Sequence, residues 1–502
     1  MSKTNTGVLD VIIIGAGVSG VGMACRLKTE QPHKSFLVLE RRQRAGGTWD
    51  LFRYPGVRSD SDMFTYGFQF KPWRDYRTLA DGSSIRNYLG DTAKEFGVAD
   101  RFEYGIHCTA ADWDSEAQLW TLTATHEPSG EPRRYQARFV VSAQGYYNYD
   151  QGYRPAFKGE EQFKGQIIHP QQWPENLDYA GKKVVVIGSG ATAVTLVPAM
   201  AEKAAKVTML QRSPTYIFSL PGWDRMTQVL DKLLPRDWSF AIARKRNLEI
   251  WQTTYKLCQR FPKATRKFFV GQAKRHLGAA FTMKDFNPSY EPWDQRLCAV
   301  PDANLFTAVR EGRAEVVTDT IARFTETGIR LASGKDLDAD IIVTATGLSV
   351  QMFGGMKLSV DGAPYALAEK MIYKSVLLQD LPNFAWIFGY INLSWTMKAD
   401  MSSLYLCRLF AHMDQHGQAV VIPRDHAQSA LDASVLGQLS AGYVQRANHL
   451  LPRQGKAMPW MVRNNYQEDR QMMLHTPVAD PQHLETQAPQ AATRAEPLRR
   501  AA

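Results

Sequence analysis

Val11-Ile12-Ile13-Ile14-Gly15-Ala16-Gly17-Val18-Ser19-Gly20 reads as a buried strand running into a glycine-rich turn. The apolar quartet has the length and β-branching of a strand covered on both faces. The glycines fall in the order G-x-G-x-x-G, and Val21–Lys28 follows as a helix. Gly15 permits the tight turn, Gly17 lets backbone approach a pyrophosphate, and Gly20 allows helix to pack closely on strand. The helix start offers unpaired N–H groups and a positive dipole end to the phosphates. A second strand, Phe36–Leu39, ends in Glu40, twenty residues after Gly20. A carboxylate there can accept both hydroxyls of an adenosine ribose. Strand, helix and acidic residue together read as a dinucleotide site rather than a structural turn.

The same grammar returns in the second half. Lys183–Ile187 leads into Gly188-Ser189-Gly190-Ala191-Thr192-Ala193, with Ala193 in place of the third glycine, a tolerated variant. The next strand, Lys206–Leu210, ends in Gln211-Arg212-Ser213 and lacks an acidic residue. Glu40 suits a bare ribose diol, whereas Arg212 can pair with a 2′-phosphate. FAD is therefore expected in front and NADPH behind. In the first half, strand-like alternation from Phe102, with turns at Asp114-Ser115 and Pro128–Gly130, ends in Arg138–Ser142 and Ala143-Gln144-Gly145. In the second, short strands from Ala314 and a turn at Ser333-Gly334 end in Ile341–Thr344 and Ala345-Thr346-Gly347. This echo predicts an α/β chain with two Rossmann-like dinucleotide-binding domains.

The 502 residues suffice for two or three cores, and 44% hydrophobic with 22% charged content is ordinary for a globular protein. Five scattered cysteines without a C-x-x-C pair argue against a disulfide framework, a zinc site and a dithiol reductase. A reducing cytoplasm fits them. Ten residues precede the first strand, so no signal peptide is expected, and no metal site is. The net charge of +10 is concentrated: residues 224–275 hold thirteen Lys/Arg against four Asp/Glu. That clustering, with no nucleic-acid motif, argues against a nucleic-acid partner. The stretch is helical in character and rich in aromatics. A solvated face is the reading adopted for it, with peripheral contact to an anionic membrane through 223–288 as the alternative.

Between the two glycine motifs lies Phe163-Lys164-Gly165-Gln166-Ile167-Ile168-His169-Pro170-Gln171-Gln172-Trp173-Pro174. Its pattern, F-x-G-x-x-x-H-x-x-x-W-P through Phe163, Gly165, His169, Trp173 and Pro174, resembles the fingerprint of the flavin-dependent Baeyer–Villiger monooxygenases. Gly46-Gly47-Thr48-Trp49 through Tyr54-Pro55-Gly56 to Asp60 matches a second pattern of that family, G-G-x-W-x-x-x-x-Y-P-G-x-x-x-D. The wording Asp50–Met63 resembles the branch with the ethionamide-activating and long-chain alkane monooxygenases. The resemblance runs from Val11 to about Met473. It implies a two-dinucleotide flavoprotein with a helical insertion in the NADPH domain. The units are 1–147 (FAD), 148–222 (NADPH), 223–288 (helical), 289–347 (NADPH) and 348–475 (FAD). Residues 476–502 read as a polar disordered tail.

The resemblance also implies site residues. Val18, Ser19, Gly47, Thr48, Trp49, Arg58, Ser59, Asp60 and Cys108 would join Gly15, Gly17, Gly20 and Glu40 at the flavin. Residues 188–193, Gln211 and Arg212 would hold NADPH. Arg296, after the insert, matches the family's active-site arginine, although Gln295 stands where the family often has lysine. NADPH would reduce FAD, O2 would add to give a C4a-peroxyflavin, and its anion would attack a ketone to yield an ester or lactone. Arg296 would steady that anion because a guanidinium stays charged, with Asp60 positioning it. His169 reads as part of the linker's mechanics rather than a proton shuttle. Rival readings are S- or N-oxygenation, long-chain alkane oxidation, and a flavin-binding redox sensor without turnover. The substrate would be a small aliphatic or aryl-alkyl ketone, or a sulfide.

Overall fold

The computed structural model describes residues 7–295, 297–436 and 442–490. The first sheet is built on β1 (Leu9–Ile14), β2 (Phe36–Glu40) and β3 (Phe102–Tyr104), which run parallel. All five residues of β2 are buried, as a strand covered on both faces requires. The first helix, α1 (Val18–Glu30), starts three residues earlier than its apolar pattern suggested, inside the glycine motif. β4 (Ile106–Asp114), β5 (Leu119–His126) and β6 (Glu131–Ser142) form an antiparallel meander whose alternating burial reflects one solvated face. The first half of β6 pairs with β5, and its second half lies parallel to β1, Val11 opposite Phe139.

The second sheet contains β7 (Gln166–Ile168), β8 (Lys183–Ile187), β9 (Lys206–Gln211), β10 (Ala314–Thr318) and β11 (Ile341–Thr344). Its order is β10-β9-β8-β11-β7 and every pairing is parallel. α2 (Ala191–Met200) follows its glycine motif. Ala314–Thr318, expected as the start of a meander, instead closes the parallel edge. The meander is a separate three-stranded sheet over residues 321–338. Between β9 and β10 stand α3 (Arg225–Leu233), α4 (Arg236–Arg260) and α5 (Pro262–Leu277). Asp224 caps α3 by accepting from Thr227 N–H at 3.0 Å. Pro262 stops α4 and opens α5, because a proline ring suits a helix start and not its interior.

The chain then returns to the first sheet. β12 (Lys357–Val360) pairs with β4, and β13 (Phe384–Trp386) pairs with β6. α6 (Trp395–Gln415) packs on α1. The outgoing and returning crossings run side by side. Tyr147 bridges Val350 antiparallel, Asn148 N–H donates to Ser349 O at 2.9 Å, and Gln351 N–H to Tyr146 O at 3.0 Å. The reading of 476–502 as disordered is corrected over its first part: β15 (Leu484–Gln487) pairs antiparallel with β14 (Val420–Pro423), and Gln118 Nε2 donates to Ala488 O. Leu484 is buried there, which is what holds so polar a segment to the body. Residues 491–502 lie outside the described part.

Candidate active site

Sequence places Gly17 and Gly190 at the N-caps of α1 and α2, and neither helix start receives a side-chain cap. Each first turn therefore keeps N–H groups that need an acceptor, with the positive end of the helix dipole behind them. Both starts open on one cleft of about 300 Å³, to which Gly17, Val18 and Ser19 contribute from α1 and Ala191 and Thr192 from α2. A Cβ on Gly47 would sit 2.9 Å from Gly17 Cα, so the two glycine loops meet backbone to backbone. Gly15 adopts φ +101°, and its Cβ would meet Ala143 O at 2.8 Å. Gly20 lies outside the cleft: its missing Cβ lets α1 press on Gly15 O.

Glu40 closes one end of the cleft at 5% exposure. One oxygen accepts from Ala16 N–H at 2.6 Å and the other from Arg42 N–H at 2.8 Å. Burial pushes its pKa up, and those two N–H groups pull it back. Each oxygen keeps a lone pair for a ribose hydroxyl. Cys108 lines the same end, and burial pushes its thiol up to about 12, with Glu40 adding to the shift. It is a neutral wall and not a thiolate nucleophile.

Thr48, Trp49, Arg58, Ser59 and Asp60 also line the cleft. Trp49 donates to Tyr66 Oη at 2.7 Å and meets that ring edge-on. Asp50 beneath it is 2% exposed and is gripped by Arg42, Arg44 and Arg53, which fixes the loop. Arg58 donates to Ala299 O at 2.8 Å, across to the second half of the chain. Burial lowers its pKa and the Asp60 carboxylate raises it again. Asp60, Ser61 and Leu393 also line a smaller cavity of about 60 Å³, shared with Trp251, Trp293 and Leu297. Asp60 thus sits where the two spaces adjoin. Arg296 lies outside the described residues; its neighbours Trp293 and Leu297 line the small cavity and Cys298 the large one.

The structure does not bring every expected residue to the cleft. Gly188, Ser189 and Gly190 form the loop before α2 outside its walls; Ser189 Oγ lies 2.8 Å from Thr215 Oγ1, and a Cβ on Gly190 would meet nothing within 4 Å. Ala193 is buried in the core beneath them. Arg212 is exposed on that side. Gln211 points inward instead: its Nε2 donates to Asp285 O and Thr318 Oγ1, both at 2.8 Å. The fingerprint lines neither cavity. Phe163 is core, meeting Phe324 edge-on, and a Cβ on Gly165 would strike Asp340 O at 2.3 Å. His169 contacts Gly347 O at 3.3 Å and accepts from Gln171 N–H, and burial lowers its pKa. Trp173 packs half-buried against the second core, and Pro174 is exposed.

Tyr66, Tyr149, Gln144, Tyr390 and Trp395 complete the walls. Trp395 opens α6 and donates from Nε1 to Ser19 Oγ at 2.8 Å, tying the returning chain to the first glycine loop. Tyr54 packs with Leu51 and Phe52 into the core of the second sheet, beside the Thr192 hydroxyl. Gly56 (φ +76°) touches α2 so closely that a Cβ would lie 2.8 Å from Ala199 Cβ and from Thr195 O. The G-G-x-W-x-x-x-x-Y-P-G run therefore lines the cleft from Gly46 to Tyr54, and its Tyr54 and Gly56 also lock the two units together.

Comparison with known proteins bears on this two-loop cleft. Residues 9–397 match the family described as flavin-binding monooxygenase-like. The chain belongs to that family. It is 54% identical over 475 residues to a putative FAD-containing monooxygenase, MymA, of Mycobacterium tuberculosis, covering 94% of this chain and 96% of that one. It is 49% identical over 466 residues to a probable FAD-binding monooxygenase, AlmA, of Acinetobacter baylyi, covering 93% of each. Among solved structures, an oxidized steroid monooxygenase bound to NADP superimposes with a TM-score of 0.78 at 20% identity, over 96% of this chain and 100% of that one. That likeness shows the shared two-unit fold of this monooxygenase family.

Proposed function

We propose that this chain is an NADPH- and O2-dependent Baeyer–Villiger monooxygenase that holds FAD and converts ketones to esters or lactones. The observation that carries the reading is one cleft that the uncapped α1 start enters and the first turn of α2 lines, with Glu40 and Asp60 among its walls. An extended dinucleotide fits it. Glu40 takes the ribose end, the α1 start takes the pyrophosphate, and the Trp49, Tyr66 and Trp395 walls take the flat ring system. Bound FAD, once reduced by NADPH, supplies the oxygen-transfer chemistry with O2.

The residues of the chain do the rest. The α2 start and Arg212 bind NADPH, the arginine through its 2′-phosphate. The aromatic walls exclude water from a reaction that water would abort. Arg296 donates hydrogen bonds to the negative charge that develops at the reacting centre, where a fixed guanidinium is worth more than in water. Asp60 positions it, a role supported by the place of Asp60 between the two cavities. The small cavity beside Asp60 takes the ketone.

Incubating the yellow holoenzyme with NADPH and linear, cyclic and aryl-alkyl ketones is expected to give products heavier by one oxygen and ester in kind. A sulfide converted to sulfoxide with no ester from any ketone would replace this reading by S-oxygenation. Arg296→Ala is expected to keep NADPH-driven flavin bleaching and lose the ester. Wild-type ester yield from that variant refutes the arginine's role.

A further inference from the structure

The helical insert carries apolar side chains on its outer surface as well as against the body. Among the described residues, twelve of the fifteen exposed large hydrophobic side chains lie between Trp223 and Met283, about an eighth of the chain. On α3, Met226, Val229 and Leu233 follow helical spacing and face solvent, at 54%, 54% and 74% exposure. Trp238 (68% exposed), just past the end of α3, and Ile242 on α4 are exposed too, as is Phe268 on α5. A few polar groups of the insert point toward the body. Arg244 Nη1 donates to the carbonyls of Phe64, Thr65 and Gly67, while Asn247 and Trp251 hold the Asp62 carboxylate at 3.0 Å each. Arg246 is paired with Asp224. These polar anchors, with Phe240, Ala243, Phe269, Ala273 and Leu277 buried in the cores beneath them, fix the helices to the body and leave a second, exposed apolar set facing outward.

Charge decides what covers it. Arg225 and Lys232 flank the α3 stripe, Lys245, Lys256 and Arg260 stand exposed on α4, and Lys263, Lys267, Lys274 and Arg275 on α5. None of these nine forms an ion pair among the described residues. Two copies of such a face would repel each other, whereas a negatively charged surface would be drawn to it. Apolar side chains interleaved with lysine and arginine, on helices of which none is long and apolar enough to cross a membrane, match the chemistry of a bilayer interface.

We propose that the face formed by Met226, Val229, Leu233 and Trp238 docks on an anionic phospholipid bilayer, with the surrounding lysines and arginines at the headgroups. The docking stands apart from the oxidation chemistry and its test reads binding alone. The full-length holoenzyme is sedimented with vesicles of phosphatidylcholine alone or of equimolar phosphatidylcholine and phosphatidylglycerol. It is expected to bind the anionic vesicles, to lose most of that binding at roughly 0.5 M NaCl, and to blue-shift its tryptophan emission on binding. Met226→Ser, Val229→Ser, Leu233→Ser and Trp238→Ser combined should lower partitioning by more than about tenfold. A second variant, Lys245→Gln, Lys263→Gln and Lys267→Gln, should weaken binding to anionic vesicles while leaving every apolar side chain in place. Both variants should retain FAD and NADPH oxidation. No binding to anionic vesicles overturns the proposal, as does equal binding by both variants. A wild-type dimer that the serine variant dissociates assigns the face to a second copy and also overturns it.

Discussion

Gly56→Ala probes the contact that joins the two units. Gly56 sits at φ +76°, a backbone state that costs a residue with a Cβ about 1–2 kcal/mol. Its added methyl would also lie 2.8 Å from both Ala199 Cβ and Thr195 O, where carbon contacts are comfortable at about 3.5–4.0 Å. Forcing the turn away from α2 adds about 1–3 kcal/mol of overpacking. The sum is about 2–5 kcal/mol, and it falls on the Tyr54–Thr192 contact at the start of α2. Gly97→Ala is the control, since Gly97 has φ +62° with nothing within 4 Å of its missing Cβ. That variant carries the backbone strain without the steric part. In urea unfolding followed by flavin fluorescence, Gly56→Ala should be less stable than Gly97→Ala by about 1–3 kcal/mol. Its KM for NADPH should rise while FAD content stays near one per chain. Equal stability of the two variants, with an unchanged KM, refutes the interlock.

Other outcomes follow from single groups. Arg212→Ala is expected to raise the KM for NADPH by about tenfold or more while leaving that for NADH unchanged, because only NADPH carries the 2′-phosphate; steady-state kinetics with both nucleotides checks it. Lys374 is 4% exposed and donates to Pro477 O at 2.7 Å, and burial lowers its pKa from 10.5 to about 8. The unfolded chain therefore binds a proton that the folded chain has released between pH 8 and the ordinary lysine value. Folding gains stability as pH rises through that window, by about 2 kcal/mol from pH 8 to 9.5. Urea midpoints should show this rise in wild-type protein and lose it in Lys374→Met.

Much of the first site was legible because its parts are contiguous: the strand, the three glycines and Glu40 fall within residues 11–40. The second motif was legible for the same reason. Tyr66 and Tyr149 were not, since their role depends on distant segments meeting, and the aromatic run Phe384, Trp386, Tyr390 and Trp395 reads the same whether it ends in core or cleft. Phe384 and Trp386 went to the core, Tyr390 and Trp395 to the walls. Gln211 stood at the right place in the pattern, but its amide is drawn inward by Asp285 and Thr318, neither of them near it in sequence. The strand Leu484–Gln487 escaped notice because four residues with one buried leucine carry no periodicity.

The paired crossings carry a consequence for the architecture as a genetic object. Residues 148–349 leave the first unit beside the point where the chain re-enters it, since Tyr147 and Val350 are bridge partners. Topologically the second unit is a guest spliced into one connection of its host, at a crossing whose residues Tyr146, Tyr147, Leu348 and Gln351 line the cleft. Its excision would leave two adjacent ends that a few residues could rejoin, whereas trimming the chain from either terminus would tear a strand or helix out of the host.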